Sequence, residues 1–95
     1  MATQILAPGV SVATSSDVTV AAGATEILSL YCATAAIPQD CVFTILQDNP
    51  GTTDTPVGRL DFSRPSVVVE GPGVYRVRRD FAGAAQTSVG VCTGT

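Results

Sequence analysis

Short runs in which apolar and polar residues alternate, each cut off by glycine or proline, constrain this chain more than any other feature. Alternation of this kind puts successive side chains on opposite faces of a strand, whereas a helix would need a period near 3.6 that appears nowhere here. Residues 17–21 alternate from Asp17 to Ala21. In residues 26–33, Leu28, Leu30 and Cys32 share one face and Ile27, Ser29 and Tyr31 the other. Both faces carry apolar groups, which predicts cover on the second face from a neighbouring subunit as well as from the core. Residues 41–48 set Cys41, Phe43 and Ile45 against Val42, Thr44 and Leu46. Residues 56–62 form a short strand with Pro56 at its start, where a missing N–H is tolerated. Residues 82–85 read as a link, with a short helix at 82–86 as an alternative, and residues 87–92 as a last strand with Val89 and Val91 inward. Residues 1–16 are low in charge, broken by Ala7-Pro8-Gly9, and read as an N-terminal arm with a short strand at 10–13. The expectation is an all-β domain over residues 17–95, a small β-sandwich or jelly-roll-like barrel of seven to eight short antiparallel strands.

Residues 64–80 stand out within this pattern. Val67, Val69, Tyr75 and Val77 suit a core, and Gly71-Pro72-Gly73 suits a turn, so the stretch reads as a β-hairpin. It also concentrates charge. Arg64, Arg76, Arg78 and Arg79 against Glu70 give residues 64–79 a net +3, so the rest of the chain carries −6 to reach the overall −3. Alternation places Arg76 and Arg78 on one face and Arg79 on the other. Arg76, Arg78 and Arg79 are candidate polar anchors for a protein partner, because a guanidinium meets carboxylates through a planar fork. The competing reading pairs them within the molecule to Glu26, Asp61 or Glu70.

Composition removes several classes of function. The chain has no histidine and no lysine. It therefore lacks the usual general base near neutral pH, the commonest metal ligand and a Schiff-base amine. No nucleophile has a base to activate it, and no enzyme activity is expected. Asp48, Asp54 and Asp61 can offer oxygen ligands around the 49–55 loop, but their spacing matches no calcium-binding EF-hand; no metal and no cofactor are expected, and the loop reads as solvated. The acidic balance argues against free nucleic acid. Cys32, Cys41 and Cys92 are an odd set that suits reduced, buried thiols, with a Cys32–Cys41 bridge as the alternative. No signal peptide is apparent and no apolar run reaches membrane-spanning length, so a cytoplasmic origin and no membrane contact are expected. Ninety-five residues rich in alanine and valine make a thin core that would gain from a partner.

Five segments together resemble the capsid decoration, or cement, proteins encoded among the head genes of tailed bacteriophages. They are Val-Ala-Ala-Gly-Ala-Thr-Glu-Ile-Leu-Ser-Leu-Tyr at residues 20–31, Ile37-Pro38, residues 43–50 with Asp48 and Pro50-Gly51, Arg-Pro-Ser-Val-Val-Val at 64–69, and Gly-Pro-Gly-Val-Tyr-Arg-Val-Arg-Arg at 71–79. The resemblance covers most of the chain after Asp17. It implies a head-stabilisation protein bound to the outside of the virion, a homotrimer clamping the major capsid protein, with no catalytic residue. On that reading Ile5, Leu6, Pro8 and Val10 of the arm, with Arg76, Arg78 and Arg79, contact capsid or a neighbouring copy. Two other roles fit a small phage β protein: a carbohydrate-binding host-adhesion module, which the scarcity of aromatic residues disfavours, and a head–tail neck or tail component.

Overall fold

The computed structural model describes residues 3–32, 37–49, 53–81 and 88–94. Among them are nine strands: β1 (Thr3–Gly9), β2 (Ala13–Thr14), β3 (Val18–Val20), β4 (Thr25–Tyr31), β5 (Val42–Gln47), β6 (Thr55–Asp61), β7 (Ser66–Glu70), β8 (Gly73–Phe81) and β9 (Val89–Thr93). One sheet runs β1-β9-β4-β7 and the other β2-β8-β5-β6, with β3 pairing to β8 as well. Every pairing is antiparallel. Leu6, Leu28, Leu30, Val69, Val89 and Val91 from the first sheet meet Val18, Val20, Phe43, Ile45, Leu60, Tyr75 and Val77 from the second. The alternation in the sequence selects this interior, since a residue and its neighbours two along point to one face. Leu46 is also buried, although it belongs to the outer set of β5, beside a register shift between Ile45 and Leu46.

The all-β sandwich is as expected, with nine strands instead of seven or eight. The difference lies mostly in the segment read as an arm. Residues 3–9 are a strand of the first sheet, paired to β9 from Thr3↔Thr93 to Gly9↔Val89. Leu6 lies in the core and Ile5 packs against it. The strand expected at 10–13 falls instead at residues 13–14. Between β2 and β3, Ser15 stands in for a strand residue: its N–H donates to the Val77 carbonyl at 2.9 Å, and the Val77 N–H donates to its hydroxyl at 2.9 Å. The short helix considered at 82–86 lies outside the described residues.

The hairpin expected at 64–80 is not one. β7 pairs with β4 in the first sheet, and β8 pairs with β5, β2 and β3 in the second. Gly71-Pro72, a cis peptide, carries the chain across the sandwich instead of reversing it within one sheet. The crossing is tight. A Cβ at Gly71 would stand 1.9 Å from the Ala21 carbonyl oxygen, so only glycine fits against the turn that leaves β3. The Gly71 N–H donates to the Ala24 carbonyl at 3.0 Å, and the Tyr75 hydroxyl donates to the Glu70 carbonyl at 2.6 Å. Alternation correctly sorts the side chains of both strands, but it is blind to which sheet each strand joins.

The true reversal in this region precedes β7. Asp61 and Arg64 exchange backbone hydrogen bonds at 3.2 Å across Phe62-Ser63. The Asp61 carboxylate accepts from the Ser63 hydroxyl and the Arg64 N–H, both at 2.9 Å. From this turn β6 and β7 diverge into different sheets as their outer edges.

Candidate docking interface

β8 carries three of the five arginines, and the pleat sends them two ways. Arg76 and Arg78 lie on the outer face of the second sheet. Arg76 Nε donates to Asp17 Oδ1 at 2.6 Å, and its Nη1 donates to Asp54 Oδ2 at 2.5 Å with Asp48 at 3.7 Å. Those hydrogen bonds, first the one donated to Asp54 and then the one donated to Asp17, hold the Arg76 pKa above its ordinary value. Arg78 Nε donates to Asp80 Oδ1 at 2.6 Å, and the Thr44 hydroxyl donates to the other oxygen of Asp80. Both are thus paired within the molecule, as the competing reading held, but to Asp17, Asp48, Asp54 and Asp80 instead of Glu26, Asp61 or Glu70. Of the 49–55 loop, Asp54 is drawn with Asp48, which precedes the loop, onto Arg76.

Arg79 cannot serve as an external anchor. Only 5% of it is exposed. Its Nε donates to the Ser11 carbonyl at 2.6 Å, and its Nη1 donates to the Ala7 carbonyl at 3.0 Å and the Val89 carbonyl at 2.9 Å. The Ala7 and Val89 carbonyls lie where the β1–β9 register slips between Leu6 and Gly9, with Ser11 just beyond the end of β1, and a buried carbonyl without a partner is costly. Gly9 makes room for the side chain, since a Cβ there would meet Nη2 at 2.7 Å. Burial pushes the Arg79 pKa down from its ordinary value. The residue is a cross-brace between the sheets.

Of the arm residues, Leu6 is buried and Ile5 and Pro8 are half-buried, while Val10 is 47% exposed beside Val12 at 69%. The second face of β4 is covered in part by its own sheet. The Tyr31 hydroxyl donates to the Gln4 side-chain oxygen, and the Tyr31 ring lies over Gly90, where a Cβ would stand 2.9 Å from Cε1.

The arginines not singled out as anchors are the ones left open. Arg59 on β6 and Arg64 at the 61–64 turn form no ion pair among the described residues. With Asp61 and Ser63 they line a cleft of about 290 Å³. Val57 and Phe62 nearby are each 47% exposed, and Val68 on β7 is 58% exposed. Asp61, tied first by Ser63 and then by the Arg64 N–H, has its pKa lowered, with Arg59 adding a smaller pull. The sequence did hold a signal for the turn: aspartate followed two residues later by serine favours a local side-chain reversal. Nothing in it showed that Arg59 and Arg64 would lack carboxylate partners.

The remaining polar groups offer little chemistry. Cys32, Cys41 and Cys92 are unpaired thiols, and burial pushes each pKa up, away from the reactive thiolate. Among the described residues no group of three His, Cys, Asp or Glu side chains is arranged to hold a metal ion. No described helix is long and apolar enough to cross a membrane. Compared with family models, curated proteins and solved structures, the chain finds no match.

Proposed function

We propose that the chain is a structural virion protein, a decoration or cement protein that binds the outer surface of a tailed-phage capsid and stabilises its lattice without catalysing a reaction. The observation that carries this reading is the division of polar groups. Three arginines are paired within the molecule, while Arg59 and Arg64, without an ion pair among the described residues, line a cleft at the turn between β6 and β7, two outer strands that with that turn also expose Val57, Phe62 and Val68. Such a surface suits docking to a protein. The segments that carry the family resemblance support the same role: residues 20–31 run from β3 through β4, and residues 71–79 cross from β7 into β8.

The mechanism is linkage. A protein that binds only the assembled lattice stabilises it by the free energy of that binding. A homotrimer at a threefold site would multiply several weak contacts to the major capsid protein. The test is to heat particles made with and without the protein. DNA release at a lower temperature from the deficient particles is expected; release at the same temperature would sink the reading. Copy number on purified virions separates the roles further, with hundreds per particle expected for decoration and about a dozen for a neck component.

A further inference from the structure

We propose that Arg59 and Arg64 form a carboxylate-binding cleft that receives an acidic side chain of the protein partner. This rests on the docking reading only for the premise that such a partner exists. The site is built by a turn that holds itself in place. Asp61 Oδ1 accepts from Ser63 Oγ and from the Arg64 N–H, and Asp61 and Arg64 exchange backbone hydrogen bonds around it. Asp61 is thereby engaged in shaping the turn, while the two guanidinium groups remain without an ion-pair partner among the described residues. Two positive charges against one negative leave the cleft with a net +1 on a protein of net −3.

Carboxylate is the ligand this arrangement fits. A guanidinium presents paired N–H donors at the spacing of two carboxylate oxygens. Phe62 within the turn and Val57 two residues before Arg59 in the chain are both exposed and offer apolar surface to the same partner. A phosphate backbone needs a longer positive track than two arginines provide on an acidic chain.

The experiment titrates the ¹⁵N-labelled full chain with a hexaglutamate peptide and follows the arginine side-chain Nε–Hε signals. Saturable shifts at Arg59 and Arg64 are expected, with Arg79 unmoved as an internal control. Arg59→Ala and Arg64→Ala each weaken the binding about two- to fivefold, as for an exposed ion pair. Asp61→Asn strengthens it about twofold, because it removes the opposing charge and keeps an oxygen for the turn. Absence of shifts, peptide binding that persists in the double variant R59A/R64A as read from the backbone amides of residues 59–64, or tighter binding of an oligothymidylate to the parent at the same signals would each overturn the proposal. Peptide binding together with unchanged heat stability of deficient particles would leave the cleft standing and remove the capsid reading. Lowered heat stability without peptide binding would do the reverse.

Discussion

The two sides of the sandwich handle the same residue type in opposite ways. On the side where β1 and β2 are the outer strands, Arg79 turns inward and binds three backbone carbonyls from residues 7, 11 and 89. On the side where β6 and β7 are the outer strands, Arg59 and Arg64 stay exposed beside Val57 and Phe62. One side is braced and the other left open. The difference teaches that the role of an arginine in a small β domain depends on where backbone acceptors lack partners. A slipped ladder supplies such acceptors at β1–β9. The turn at 61–64 supplies none, because Asp61 and its own backbone already satisfy it.

The comparison breaks most severely at Arg79. Arg79→Leu leaves buried carbonyls without donors and should cost about 3 kcal/mol or more, at about 1–3 kcal/mol for each group left unsatisfied. Urea denaturation would show it, and a midpoint equal to that of the parent would refute the brace. Ser15→Ala is the next step down on the braced side. It strips the Val77 N–H of its acceptor, and a loss of about 1–3 kcal/mol is expected in the same assay, with faster amide exchange at Val77. The open side should respond to acid at one point. The carboxylate of Asp61 titrates below its ordinary value of 3.8, so its contribution is complete above that value and disappears as pH falls through the lower folded value. A ¹³C carboxyl titration should give a midpoint under 3.8, with the Arg64 amide moving in step; a midpoint at or above it would show that the turn does not hold the group. Smallest of all, Arg59→Ala and Arg64→Ala should change stability by no more than about 0.5 kcal/mol, as exposed residues without partners do. A larger loss from either would mean that the open side is braced too.

Much of the fold was legible because burial in a two-layer sandwich follows a period of two. Leu28 and Leu30, Phe43 and Ile45, Tyr75 and Val77, and Val89 and Val91 are all interior, as their spacing predicts. The pairing of strands was not legible in the same way. Val67 to Val69 and the residues after Gly73 have the pattern of two hairpin arms, and the pattern is identical whether the strands pair with each other or join separate sheets. The clash that a Cβ at Gly71 would make with the Ala21 carbonyl arises between segments fifty residues apart. The sites followed the same division. The sequence placed Arg79 on the face opposite Arg76 and Arg78, but only Arg78 has its partner close by, at Asp80; the partners of Arg76 at Asp17, Asp48 and Asp54, and those of Arg79 at Ala7 and Ser11, are distant in the chain.

By itself, then, the amino-acid order determined the all-β class, the inward set of side chains and the lack of a histidine or lysine base, since each depends on local period or on composition. Only the tertiary structure decided that the N-terminal segment is a strand, that β7 and β8 belong to different sheets, and that Arg59 and Arg64 are the arginines left open. Those outcomes depend on hydrogen-bond and charge partners brought together across the sandwich, and a partner's position in space is a property of the folded chain.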